Sequence, residues 1–283
     1  MAKIIDGKLI SQQIKDEVKA ENERLAKKGY KGSLAVIQVG EDPASSIYVR
    51  NKKRACEYVG FESLSYELPD STSQEELLSL INMLNTKEEV DGILVQLPLP
   101  GHIDEDAVIA AISPDKDVDG FHTQSVGRMV VGVPGFLPCT PAGIIELIKR
   151  SGIETDGKNC VVVGRSNIVG KPMAILMLRE NATVTITHSH TKNLKEICRN
   201  ADILIVGIGQ REFIDHEYIK EGAAVIDVGI HRDENNKLHG DVNFDDVKDH
   251  VSYITPVPGG VGPMTIAMLM YNCMVSLKNR VGE

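Results

Sequence analysis

Four short apolar runs in the C-terminal half of the chain, at Cys160 to Val163, Thr183 to Thr187, Ile203 to Val206 and Ala223 to Asp227, are separated by segments able to form helices. Strands alternating with helices require a parallel sheet covered on both faces, the doubly wound architecture. The first half shows the same alternation. Ile10, Ile14, Val18 and Leu25 recur at helical spacing, and a strand follows at Leu34 to Val39. Asp42 and Pro43 supply a cap and a first-turn proline for a helix reaching Tyr58, which Gly60 can terminate. A strand near Ser63 to Leu68 comes next. Thr72 with Glu75 and Ser73 with Glu76 form overlapping capping boxes for a helix ending near Thr86, before the apolar run Gly92 to Leu97.

The expected fold is α/β in two domains, which suits 283 residues because a single core stops growing near ~250 to 300. The boundary is placed at Pro138 to Pro141, where Thr140-Pro141 starts a helix. This gives an N-terminal α/β domain over residues 1–139 and a Rossmann-type doubly wound sheet over 140–262. The last helix, 263–283, has no strand after it and is expected to return to the first domain.

A net charge of −9 argues against a surface for nucleic-acid phosphates, so an anionic ligand needs a local site. The five cysteines are odd in number and scattered, with no C-x-x-C pair, which reads as reduced thiols in a cytoplasm. No signal core and no membrane-length apolar stretch is present, so neither export nor a membrane is expected.

Val161-Val162-Val163-Gly164-Arg165-Ser166-Asn167-Ile168-Val169-Gly170 is a strand entering a glycine-containing turn that opens a helix, the setting in which a pyrophosphate rests on free backbone N–H groups. Ser166 replaces the second glycine of G-x-G-x-x-G, and the third comes one residue late, at Gly170. A plain strand-to-helix turn is the alternative. The next strand ends in Thr187-His188-Ser189-His190-Thr191-Lys192, without the carboxylate that accepts from an NAD ribose. Arg165, Ser189 and His190 suit a 2′-phosphate, so the cofactor is expected to be NADP. His188 and His190 share a strand face, but no further ligand accompanies them and no metal is expected.

Tyr48 and Lys52 are one helical turn apart, which permits proton transfer, although Arg50, Lys52, Lys53 and Arg54 also read as a solvated basic face. The strand Gly92 to Val95 delivers a polar Gln96 at its C-terminal end, where open α/β sheets place ligands. Asp119, in Lys116-Asp117-Val118-Asp119-Gly120, offers a carboxylate able to pair with an amino-pyrimidine edge, or else belongs to a solvated turn. Pro256 to Thr265 is a glycine-rich passage into the last helix that allows close approach of backbone to ligand, or serves turn geometry alone.

Tyr48-Val49-Arg50-Asn51-Lys52, Asp91 to Pro98, Lys116 to Gly120, Gly164-Arg165-Ser166 and Pro256 to Thr265, in order along nearly the whole chain, resemble the methylenetetrahydrofolate dehydrogenase/cyclohydrolase family. The resemblance implies a catalytic first domain, a dinucleotide-binding second domain and an active site in the cleft between them. It implies oxidation of 5,10-methylenetetrahydrofolate with NADP, then hydrolysis to 10-formyltetrahydrofolate. By the same resemblance Lys52 is the general acid/base, Gln96 tunes it, Tyr48 stacks on the folate and Asp119 holds the pterin. Val49, Arg50, Asn51, Val95, Leu97 and the run Pro258, Gly259, Gly260, Val261, Gly262, Pro263, Met264, Thr265 and Ile266 line the substrate. Gly164, Arg165, Ser166, Ser189 and Ile230 contact the cofactor, Ser45 supports Lys52, and the assembly is a homodimer.

Two rivals remain to be separated by experiment. A short-chain dehydrogenase also uses Tyr-x-x-x-Lys, but after its dinucleotide loop, whereas Tyr48 and Lys52 precede Gly164. A silent folate- or dinucleotide-binding protein is expected to have lost Lys52 or Gln96, and both are present.

Overall fold

The computed structural model describes residues 2–283, except for the side chains of residues 43–46. In chain order its elements are β1 (Lys3–Ile4), α1 (Gly7–Ala26), β2 (Ser33–Val39), α2 (Pro43–Val59), β3 (Glu62–Leu68), α3 (Gln74–Thr86), β4 (Gly92–Val95), α4 (Glu105–Ala111) and α5 (Thr123–Val131). There follow α6 (Cys139–Arg150), β5 (Asn159–Val163), α7 (Gly170–Arg179), β6 (Thr183–Thr187), α8 (Leu194–Cys198), β7 (Ile203–Val206) and β8 (Ala224–Asp227). The chain ends with β9 (His231–Arg232), β10 (Leu238–His239), α9 (Phe244–Val247), β11 (Tyr253–Ile254) and α10 (Val261–Val281).

These elements form two compact units, one of Gln12–Cys139 with Ile266–Glu283, the other of Met1–Ser11 with Thr140–Thr265. The first unit holds a three-stranded parallel sheet, β3-β2-β4. As the middle strand, β2 is buried along its whole length, and Ala35, Ile37 and Val39 pack with Leu77, Ile81 and Leu84 of α3. Those three α3 residues fall at i, i+4 and i+7, one stripe of a helix. The α3 start is set by Ser73: its hydroxyl accepts from Glu76 N–H, while the Glu76 carboxylate accepts from Ser73 N–H at 2.8 Å. That is one of the two expected capping boxes. The cap expected at Asp42 concerns residues that lie outside the described side chains.

The second unit holds a six-stranded sheet, β1-β11-β8-β7-β5-β6, parallel throughout. From β5 the chain goes outward to β6 and then returns past β5 to β7, so the order reverses between β5 and β7. At such a switch point the loops beyond the strand ends part and leave a crevice for a ligand. The buried faces of β5, β7 and β8 explain the runs Val161 to Val163, Ile203 to Val206 and Ala224 to Ile226.

The chain termini depart from the expected division at residues 139 and 262. β1 pairs in parallel with β11, Ile4 opposite Ile254, so residues 1–11 lie in the second unit and not the first. A two-residue strand has no periodicity to betray it; backbone bonds from Lys3 N–H to Ser252 O (2.8 Å) and Ile5 N–H to Ile254 O (2.9 Å) hold it. The last helix starts at Val261, with its first residues in the second unit and those from Ile266 in the first.

Candidate active site

Helix α2 buries Val49, Ala55, Cys56 and Val59, a stripe at helical spacing, and Lys52 falls inside it. The run Arg50, Lys52, Lys53, Arg54 is therefore not one basic face. Arg50, Lys53 and Arg54 are exposed while Lys52 is 8% exposed. Arg50, two residues beyond Tyr48, is turned about 200° round the helix axis, away from the side shared by Tyr48 and Lys52. Tyr48 itself is exposed, with its ring available to a flat ligand. Ser45 lies outside the described side chains.

Inside that stripe Lys52 Nζ donates to the neutral Gln96 Oε1 at 2.9 Å. Gln96 follows β4, its N–H donating to Ile37 O at 2.8 Å, and its amide donates to Leu97 O at 2.7 Å. The side-chain oxygen is thereby turned toward the lysine. Burial pushes the Lys52 pKa down, because an ammonium loses its hydration there; the charge of Asp119, and more weakly Cys139 and Cys56, oppose the fall. Desolvation also pushes Asp119 up, while Lys52 pulls it down. Lys52, Gln96 and Asp119 are thus brought together, with Val95 buried and Leu97 half-buried beside them in sequence.

Three residues around Asp119 were not singled out from sequence. Asp117, in the same loop, accepts from His122 N–H (2.9 Å) and Phe121 N–H (3.2 Å), and burial raises its pKa to about 6. The buried Cys139 thiol contacts Val118 O at 3.3 Å and Asp119 Oδ1 at 3.8 Å. Asn272, in the apolar stretch of α10, donates to Val118 O and Leu137 O. An amide within Met-Leu-Met-Tyr-Asn-Cys-Met is a legible signal, since a buried polar group requires a partner.

In the second unit, Gly164 has φ +124°, and a Cβ there would stand 2.3 Å from Gly207 O. A Cβ on Gly170 would stand 2.3 Å from Gly164 O, so the late glycine lets α7 begin directly against the turn. Ser166 Oγ accepts from Val169 N–H (3.2 Å) and Gly170 N–H (3.3 Å), bracing the turn from within. The pairing of Val163 with Thr187 places Arg165 and Ser189 two residues past the ends of adjacent strands, both exposed. No carboxylate occupies residues 187–192. Ile230 is exposed, its Cδ1 facing Gly262. The glycine-rich passage belongs to the second unit as far as Thr265, with Gly260, Val261 and Met264 buried and Pro258 exposed. The His188 and His190 rings are 5.9 Å apart, and among the described residues no three His, Cys, Asp or Glu side chains gather as a metal site.

Two buried carboxylates hold the loops beyond β7 and β8. Asp241 accepts from the N–H groups of Ile208 (2.7 Å), Gly209 (3.1 Å) and Gln210 (2.8 Å), and pairs with His231 Nε2 at 2.7 Å. Asp227 accepts from Gly229, Asp241 and Val242 N–H, and burial raises its pKa to about 6.

A desolvated amine, and in the same chain a glycine turn that opens a helix at a switch point, fit the class of enzymes that use a nicotinamide dinucleotide. Residues 5–119 match the catalytic domain of tetrahydrofolate dehydrogenase/cyclohydrolase, and residues 138–281 its NAD(P)-binding domain. The chain belongs to the tetrahydrofolate dehydrogenase/cyclohydrolase family. It is 70% identical over 278 residues to the bifunctional protein FolD of Agathobacter rectalis, covering 98% of this chain and 100% of that protein. The crystal structure of the bifunctional FolD methylenetetrahydrofolate dehydrogenase/cyclohydrolase of Campylobacter jejuni superposes with a TM-score of 0.97 at 50% identity, over 99% of this chain and 100% of that one. The Trypanosoma brucei methylenetetrahydrofolate dehydrogenase-cyclohydrolase, solved with NADP and an inhibitor, gives a TM-score of 0.95 at 40% identity, over 100% of this chain and 99% of that one.

Proposed function

We propose that this chain oxidises 5,10-methylenetetrahydrofolate to the 5,10-methenyl compound with NADP and hydrolyses that product to 10-formyltetrahydrofolate, with Lys52 as general acid/base. The observation that carries the proton chemistry is Lys52 in the buried stripe of α2, held by the neutral Gln96 amide. An amine so desolvated favours its neutral form, the form a general base requires.

Gly164, Ser166 and the start of α7 would receive the dinucleotide pyrophosphate, Arg165 and Ser189 the 2′-phosphate, and Ile230 the cofactor's flank. NADP, when bound, would supply the hydride acceptor for oxidation at the methylene carbon. Lys52 takes a proton from the water that adds to the oxidised carbon and returns it to the pterin nitrogen released when the ring opens, while the hydroxyl's remaining proton leaves to solvent as the formyl C=O forms. Gln96 holds Nζ at the required place throughout. Tyr48 presents its ring to the folate and Asp119 accepts from the pterin's amino-pyrimidine edge. Val49, Asn51, Val95 and Leu97, and separately residues 258–266, are the further residues proposed to meet the substrate; Arg50, turned away from Tyr48 and Lys52 on α2, is not carried into that set.

A homodimer in the cytoplasm completes the reading. Its supports are the five free thiols, all buried, and the edge strand β6, whose exposed Ile186 lies beside an unpaired row of backbone groups. No helix among the described residues is long and apolar enough to cross a membrane. Methenyl formation followed by absorbance, and 10-formyl formation followed separately, test the reading. Lys52→Met is expected to lower hydrolysis by about 100- to 10,000-fold, the usual worth of a positioned acid/base. Hydrolysis near the wild-type rate in that variant defeats the assignment, and a clear preference for NAD defeats the reading of Arg165 and Ser189.

A further inference from the structure

We infer that Asn272 is a positioning residue for the acid/base chemistry, its single side-chain amide clamping together the two segments that carry Asp119 and Cys139 beside Lys52. The inference rests on the reading of Lys52 as the acid/base group.

Asn272 is 4% exposed in an apolar part of α10, where a buried amide must find hydrogen-bond partners. Its Nδ2 donates to Val118 O at 2.8 Å and to Leu137 O at 3.0 Å, and lies 3.7 Å from Cys139 Sγ. One acceptor directly precedes Asp119, and the other stands two residues before Cys139. Both N–H groups of one planar amide are thereby committed to two different loops, which fixes the spacing between them. The loops also press on each other. A Cβ on Gly120 would stand 2.7 Å from Leu137 C and Pro138 N, so the 117–120 turn has no room on that side.

The clamp determines where Asp119 is held relative to the lysine. Among the described residues, the groups that act on Lys52 are Gln96 at the end of β4, Asp119 in the loop, Cys139 at the start of α6 and Cys56 on α2. Gln96 is neutral, and burial pushes both thiols above their ordinary range, so they remain protonated. Among the described residues Asp119 is the leading group opposing the desolvation of Lys52, and Lys52 in turn holds the Asp119 carboxyl down against its own burial. Releasing the 117–120 turn weakens that opposition, and the amine loses its proton at a lower pH.

The test is the pH profile of hydrolysis for Asn272→Leu, which keeps the volume and removes both donors, and for Asn272→Ser, which keeps one shorter donor. Ser276→Ala is the structural control. Ser276 is an equally buried polar residue one turn further along α10, and its hydroxyl donates to Asp91 O and Asp115 O (3.1 Å). In the Asn272 variants the limb that reports amine deprotonation moves to lower pH by about one pH unit, a tenfold change in the neutral fraction on that limb. NADP affinity stays unchanged, and the limb of Ser276→Ala stays where the wild type has it. An unmoved limb in both Asn272 variants, or an equal shift in Ser276→Ala, overturns the inference. Lys52→Met separates the two readings. If the limb survives in Lys52→Met, the lysine assignment fails; if it vanishes there yet stays fixed in the Asn272 variants, only the clamp fails.

Discussion

Replacing Asp241 by Asn removes one charge and half of the acceptors that hold the loop after β7. One carboxylate oxygen accepts from Ile208 and Gly209 N–H, the other from Gln210 N–H and His231. The side chain is fully buried. An amide placed to keep the first pair points its NH2 at the second. His231 can answer by changing tautomer, but Gln210 N–H cannot, and it remains buried without an acceptor. That loss costs about 1 to 3 kcal/mol. The two bonds that survive also pass from charged to neutral acceptors, which are roughly half as strong. A total near ~3 kcal/mol follows, and for a unit of this size it lowers Tm by roughly 6 to 12 °C. Calorimetry on Asp241→Asn measures the shift, and hydrogen exchange at residues 208–210 localises it, with protection falling there first. A Tm within about 2 °C of wild type, with unchanged exchange at these three amides, would refute the reasoning.

Other consequences follow from single contacts. Arg165→Ala raises KM for NADP by about 10- to 100-fold, the worth of one or two charge-assisted bonds, and leaves KM for NAD nearly unchanged; steady-state kinetics with both cofactors decide. Burial carries the Asp227 carboxyl from 3.8 to about 6. The folded state therefore holds that proton to higher pH than the unfolded chain. Stability from this group is gained as pH falls through about 6 and lost as pH rises, by up to ~3 kcal/mol. Asp227→Asn should flatten that part of the pH dependence of urea unfolding, whatever it does to absolute stability. Ile186→Lys, placing a charge on the edge strand, is expected to shift the protein toward monomer in light scattering.

Sequence pattern carried the interior of both sheets and the helices with apolar stripes, because those depend on periodicity within one segment. It failed where a structure depends on distant partners. β1 is two residues long and exists only because β11 offers a free edge, so nothing local announces it. Asp227 and Asp241 read as ordinary strand-end and loop acids, since their value lies in backbone N–H groups brought from other loops. Lys52 was singled out by pattern and resemblance, yet its charged neighbours obscured the decisive fact. The stripe Val49, Lys52, Ala55, Cys56 and Val59 separates it from Arg50, Lys53 and Arg54 by rotation about the helix. Ser166, out of place against a glycine fingerprint, makes sense as the internal brace of its turn.

The most direct measurement is the titration of the Lys52 amine itself, by NMR of ε-labelled lysine in the wild-type protein with Lys52→Met to assign the signal. Desolvation in the α2 stripe, opposed only in part by Asp119, places its pKa below that of the exposed lysines. A Lys52 signal titrating together with them, or above them, would contradict the account.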